Sequence, residues 1–174
     1  MDNDKKWYVI QTRPLFEKKV FKQIEDKKIE AFLPEIETIR VWSDRKKRIH
    51  KPLFSGYLFV HANPDERISA ISNTVGALKY VMYQKRPAIV SAKEIDLIKI
   101  SLNLAERVNV ENKTFQKGDE VLITSGPLSG LQGIVSETRG HYKLLINITE
   151  LSASLSIELF ADEISHLKKI NTYN

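Results

Sequence analysis

The chain has no cysteine. Disulfide staples and thiolate metal sites are therefore excluded, which fits a reducing compartment. Long apolar runs are missing too: no window approaches the roughly 20 apolar residues that a membrane span needs. No apolar stretch of signal-peptide length follows Met1-Asp2-Asn3-Asp4-Lys5-Lys6, so a soluble cytoplasmic protein is expected. The histidines are few. His50, His61, His141 and His166 include no pair at metal-ligand spacing, and His61, beside a strand end, reads as structural rather than catalytic. Ser125 lies in Ser-Gly-Pro, which is not a nucleophile elbow. The loop Gly126…Gly130…Gly133 lacks the Gly-Lys-Ser/Thr ending of a phosphate cradle and leads into a strand, so tight turning is its expected job. No Ser/His/Asp set or carboxylate pair stands out. The reading is not an enzyme, with no cofactor and no metal.

What is present is a foldable chain of 174 residues, 42% hydrophobic, long enough for one domain or two small ones. Its charge is unevenly placed. There are 20 lysines and arginines against 13 acids up to Ala105, and 7 against 9 from Glu106 onward. A basic front half suits a polyanion such as nucleic acid, or is simply a solvated surface.

The stretch Lys51-Pro52-Leu53-Phe54-Ser55-Gly56-Tyr57-Leu58-Phe59-Val60 organises the rest. After Gly56 it reads as a strand, with Tyr57 and Phe59 on one face and Leu58 and Val60 on the other. Both faces are apolar. One can line a core. The second needs a cover, either more of the same chain or a partner protein.

Around this stretch, Trp7 to Thr12 predicts a first strand. Phe16, Val20 and Ile24 then recur at helical spacing with Phe21 beside them, and Lys18, Lys19 and Lys22 fall on the opposite arc. Glu35 to Trp42 alternates as a strand and leads to a charged hairpin tip, Ser43 to Arg48, whose four consecutive cations either touch phosphates or keep the tip soluble. Asn63-Pro64-Asp65-Glu66 starts a helix with Ile68 and Ile71 facing inward. Leu78 to Tyr83 predicts a strand, Ala88 to Val90 an extended piece, and Ser91-Ala92-Lys93-Glu94 a capping box opening a helix through Ile95, Ile98 and Leu102. Glu106 to Lys113 has no apolar period and reads as a linker. Short strands with glycine-rich turns follow, the pattern of a small barrel. The expected organisation is a domain over 1–105, a linker over 106–113 and a second domain over 114–170.

Three segments, in this order, carry a resemblance: Trp7-Tyr8-Val9, then Pro52-Leu53-Phe54-Ser55-Gly56-Tyr57-Leu58-Phe59-Val60, then Gly118-Asp119-Glu120-Val121…Gly126-Pro127…Gly133-Ile134-Val135. Together they resemble the NusG family over nearly the whole chain. The resemblance implies an α+β fold: an N-terminal NGN domain, an antiparallel sheet flanked by helices, and a C-terminal all-β KOW domain, a small SH3-like barrel. It implies a transcription elongation and antitermination factor that binds RNA polymerase and modulates pausing and termination. Phe54, Tyr57 and Phe59 would grip the clamp helices of the largest polymerase subunit as an accessible ring cluster. Arg13 and Lys19 would face the non-template DNA strand; Gln23, one turn later, would reach a base or phosphate, and Lys18 joins them from charge and position. A small-subunit ribosomal protein is a further family partner, met through the KOW domain. Phe54-Ser55-Gly56-Tyr57 stands where housekeeping members have Phe-Pro-Gly-Tyr, and Ile148 to Ala153 lacks the aromatic and arginine of their Rho-contacting loop. The chain is thus more similar to RfaH and UpxY-type paralogues, and Rho contact is not expected. Ile68-Ser69-Ala70 offers no counterpart to the His-Thr-Thr element of RfaH. A monomer is expected. The competing reading is an RNA-binding or ribosome-associated KOW module that does not bind polymerase.

Overall fold

Strand pairing and helix packing were read from a computed structural model that describes residues 4–42, 45–111, 119–126, 128–138, 141–148, 151 and 153–166. The chain divides into two compact units, Met1–Leu102 and Asn103–Asn174.

In the first unit, β1 (Lys6–Thr12) and β5 (Tyr57–Ala62) form the centre of an antiparallel sheet, paired from Lys6↔Ala62 to Gln11↔Tyr57. β2 (Glu30–Phe32) adds to the free side of β5, while β6 (Ala77–Tyr80) and the short β9 (Ile89–Val90) add to β1. Two hairpins stand apart as two-stranded sheets: β3 (Glu35–Val41) with β4 (Lys46–Pro52), and β7 (Met82–Tyr83) with β8 (Arg86–Pro87).

One face of the sheet carries Tyr8, Ile10, Leu58, Val60 and Tyr80, and α1 (Glu17–Asp26) packs Val20 and Ile24 onto it, with Phe16 and Phe21 at the margin. This is the arc that the four-residue spacing predicts. α2 (Pro64–Ile71) starts where expected, and a capping box holds it: the Asn63 side chain accepts from the backbone N–H of Asp65 and Glu66, and Glu66 answers with a bond from the Asn63 N–H. Ala70 is buried and Ile71 packs against the core as expected, but Ile68 is 62% exposed. The reason is Arg67, whose guanidinium lies over the rings of Tyr8 and Tyr80 while its carbonyl accepts from the Tyr80 hydroxyl at 2.6 Å. That rotation turns Ile68 outward. α3 (Ala92–Leu102) starts at the Ser91/Glu94 box and buries Ile95 and Ile98.

The second unit is a six-stranded antiparallel sheet in the order β10 (Val108–Glu111), β14 (Ala153–Leu159), β13 (His141–Ile148), β12 (Gln132–Thr138), β11 (Asp119–Ile123), β15 (Ile164–His166). Val108, Ile157, Leu144 and Val135 are successive cross-strand partners, and all four are buried. Part of the stretch expected as a linker over 106–113 is a strand. Val108 to Glu111 pairs with β14, and the Arg107 guanidinium makes a two-pronged ion pair with Glu163 beside the Phe160 ring. A four-residue edge strand is too short to show an apolar period. The turn expected at Arg139-Gly140 lies outside the described residues.

Gly76 sits at φ +99, where an added Cβ would lie 2.4 Å from Phe16 Cδ1 and 2.8 Å from its Cβ. Gly76→Ala is predicted to lower the stability of the first unit by about 2–4 kcal/mol, from left-handed strain plus overpacking. Urea unfolding checks this, and an unchanged midpoint would refute the packing. In the second unit, the Arg107 hydrogen bond, followed by the Phe160 backbone N–H, holds the Glu163 carboxyl below its ordinary value of 4.5 against the opposing effect of burial. A depressed folded-state value adds stability above the unfolded value, and that stability is lost as pH falls through the folded one. Glu163→Gln is predicted to remove that acid-side loss from the melting temperature of the second unit, measured between about pH 3 and pH 6.

Candidate protein and nucleic-acid interfaces

β5 alternates as read, and its second face is covered by the chain itself. Phe59 is fully buried, with Phe32 at 6.0 Å on one side and Phe54 edge-on at 5.9 Å on the other. Trp7 meets Phe32 edge-on at 6.4 Å and stacks on His61 at 4.8 Å. The Lys99 ammonium, on the same stripe of α3 as Ile95 and Ile98, lies 5.7 Å from the centroids of both Trp7 and Phe32. Cross-strand register explains the grouping: Glu30, His61 and Trp7 form one row, and Phe32, Phe59 and Val9 the next. His61 is held by that stack and by Glu30, at 2.7 Å from Nδ1.

The accessible ring cluster is therefore corrected for two of its three members. Phe54 is 3% exposed and Phe59 0%. Both rings are buried: Phe59 lies between Phe32 and Phe54, and Trp7 with Lys99 of α3 packs on Phe32. Tyr57, one residue beyond the turn, is half-buried and reaches the surface. It shares a row with Gln11 of β1 and the exposed Lys79 of β6.

The turn that presents Tyr57 is firmly held. Gly56 takes φ +83, a conformation that glycine adopts without Cβ strain. Its N–H donates to Glu17 Oε1 at 2.7 Å, and its carbonyl accepts from the Thr12 N–H at 2.8 Å. Tyr57 N–H donates back to the Phe54 carbonyl at 3.1 Å. Sequence reading missed Glu17. Its signal was position: an acid on the same arc as Val20 and Ile24, in the first turn of α1, and it is buried there.

The four candidate nucleic-acid residues lie in or just before α1, and they separate. Arg13 and Lys19 are exposed, with the Lys19 ammonium 5.5 Å from the Phe16 ring centroid. Lys18 is exposed but ion-paired with Glu35 at 2.8 Å. Gln23 does not reach outward. Its amide donates to the Val75 carbonyl at 3.0 Å and to the Lys19 carbonyl at 2.9 Å, and accepts from the Val75 N–H at 2.9 Å. That brackets the turn before β6 against α1, so the amide is engaged within the chain.

The charged tip is shorter than expected. Lys46 already belongs to β4, which puts Lys46 and Arg48 on one face of the ribbon and Lys47 on the other. Alternation separates like charges, and Arg48 gains Glu37 at 3.1 Å. Ile39 and Val41 are 59% and 68% exposed on the same ribbon. Among the described residues no cluster of three metal-ligating side chains occurs, and no helix is long and apolar enough to cross a membrane.

The burial pattern predicts that Phe59→Ala and Phe54→Ala each destabilise the first unit by about 3–5 kcal/mol, while Tyr57→Ala costs about 1 kcal/mol or less. Chemical denaturation of the three variants checks this. A stable Phe59→Ala protein would overturn the closed aromatic core.

Comparison with known proteins adds the following. The family model NusG, described as transcription termination factor nusG, matches residues 5–99. The transcription termination/antitermination protein NusG of Pasteurella multocida is 26% identical, with 96% of each chain covered. Its counterpart from Campylobacter jejuni is 28% identical over 93% of this chain and 97% of that one. Among solved structures, Thermotoga maritima NusG is similar with a TM-score of 0.55 at 25% identity, covering 94% of this chain and 98% of that one.

Proposed function

The chain belongs to the NusG family, and from that premise we propose that it is a transcription elongation and antitermination factor that binds RNA polymerase through its first unit and modulates pausing and termination. The observation that carries the reading is the family match, which spans nearly all of Met1–Leu102, the unit that also holds the clamped Phe54–Tyr57 turn. In this reading Tyr57 makes the direct contact with the clamp helices of the largest subunit, and Phe54 and Phe59 form the rigid floor beneath it. A half-buried tyrosine on a fixed turn loses little conformational freedom on binding, which favours affinity. Arg13 and Lys19, with Lys18 beside them, face the non-template strand.

The chain reads as a specialised paralogue of the RfaH and UpxY kind. Ser55 in the central motif and the loop of Ile148 to Ala153, without aromatic or arginine, support this reading and speak against Rho as a partner. The second unit is the candidate site for a small-subunit ribosomal protein that would couple transcription to translation.

Titration of the full chain into purified core RNA polymerase tests the proposal. Wild type is expected to bind, and Tyr57→Ala is expected to weaken binding by about 2 kcal/mol with its melting temperature preserved. Full affinity in Tyr57→Ala would sink the contact assignment. No binding by wild type would sink the function.

A further inference from the structure

Leu15 stands out for its conformation and its exposure. Its φ is +66, and of the non-glycine residues described with positive φ it alone is apolar; the others are Lys28, Asn73, Gln84 and Lys85. A leucine in the left-handed region is strained, and glycine would take the same backbone freely. Packing does not offset that strain, because the side chain is 94% exposed. The identity of this residue therefore serves nothing in the folded chain that the structure describes.

The turn that carries Leu15 is rigid. Phe16 N–H donates to the Arg13 carbonyl at 3.1 Å, Arg13 N–H donates to the Gly76 carbonyl at 2.8 Å, and the Phe16 ring fills the space beside Gly76. The abutting turn presents Val75, 54% exposed and bracketed by the Gln23 amide. Next to Leu15 in the chain, Arg13 and Lys19 are exposed cations, and Lys18 is exposed but paired with Glu35. The site is thus an apolar tooth on a stiff base among positive charges. A ligand that satisfies both features carries phosphates for the cations and an uncovered apolar face for the leucine. An unpaired nucleic-acid strand offers both; in a duplex the base faces are hidden by stacking.

We propose that Leu15 packs on the face of an unpaired DNA base while Arg13 and Lys19 hold the neighbouring phosphates. The inference rests on the nucleic-acid reading of Arg13 and Lys19 and names the part of the strand that a further residue contacts.

Fluorescence anisotropy of the full chain with a labelled single strand of about 12 nucleotides tests it, alongside the same strand with central abasic sites. Leu15→Gly is expected to melt at the same temperature or higher, since it relieves the left-handed strain. It is expected to bind the intact strand about three- to tenfold more weakly, from lost apolar contact, with an unchanged salt slope. On the abasic strand it should match wild type. Arg13→Ala is expected to weaken both strands alike and to lower the salt slope by about one. Equal affinity of wild type and Leu15→Gly for the intact strand overturns the proposal, as does an equal loss on both strands. If Arg13→Ala weakens binding in that case, the nucleic-acid reading stands without Leu15; if wild type binds neither strand, both readings fall together.

Discussion

A strand with two apolar faces cannot be satisfied by one layer, and β5 imposes that constraint on the first unit. Leu58 and Val60 require α1 and α2 on one side. Phe59 requires a second cover on the other, which Phe32 and Phe54 supply, with Trp7 and Lys99 of α3 packed on Phe32. The unit is therefore a three-layer arrangement whose central sheet is closed on both sides. The aromatic residues that look most like a binding surface are mostly spent on that closure.

What remains for recognition is set by the clamp at Gly56. Two backbone hydrogen bonds, to a buried glutamate and from Thr12, fix the point where the chain leaves the core and enters β5. Tyr57 is the first residue after that point. Its surface position is a product of core packing, not of a flexible loop. The proposed polymerase contact and the proposed base contact at Leu15 share this logic, for each side chain leaves a turn locked by backbone bonds and a packed phenylalanine.

Much of this was legible in the sequence because period and punctuation agreed. The Phe16–Val20–Ile24 spacing, the helix start at Asn63, the Ser91 cap and the alternation of β5 each had a local physical cause, and each reappears in the structure. Both covers for β5 were open from periodicity, because alternation says that a face must be buried and not by what. Ile68 was misplaced because the orientation of α2 depends on Arg67 meeting two distant tyrosines. Gln23 looked like an outward-reaching amide because its partner, Val75, is 52 residues away. The strand at Val108 to Glu111 escaped notice because an edge strand takes its stability from its neighbour, in this case β14. The left-handed backbone of Leu15 left no mark at all, since leucine is the wrong residue for it.

The β3–β4 ribbon has one further consequence. Among the described residues no third strand pairs with this ribbon, so its outer edges offer a template for another extended chain, and Ile39 and Val41 would add apolar surface to such a pairing. Lys46, Lys47, Arg48 and Lys51 line one of those strands, so a second copy approaching edge to edge meets its own charge. The guard is electrostatic and is weakened by anything that neutralises it, including salt. Protection of this edge thus rests on a few ammonium and guanidinium groups, and a substitution that removes them removes the guard.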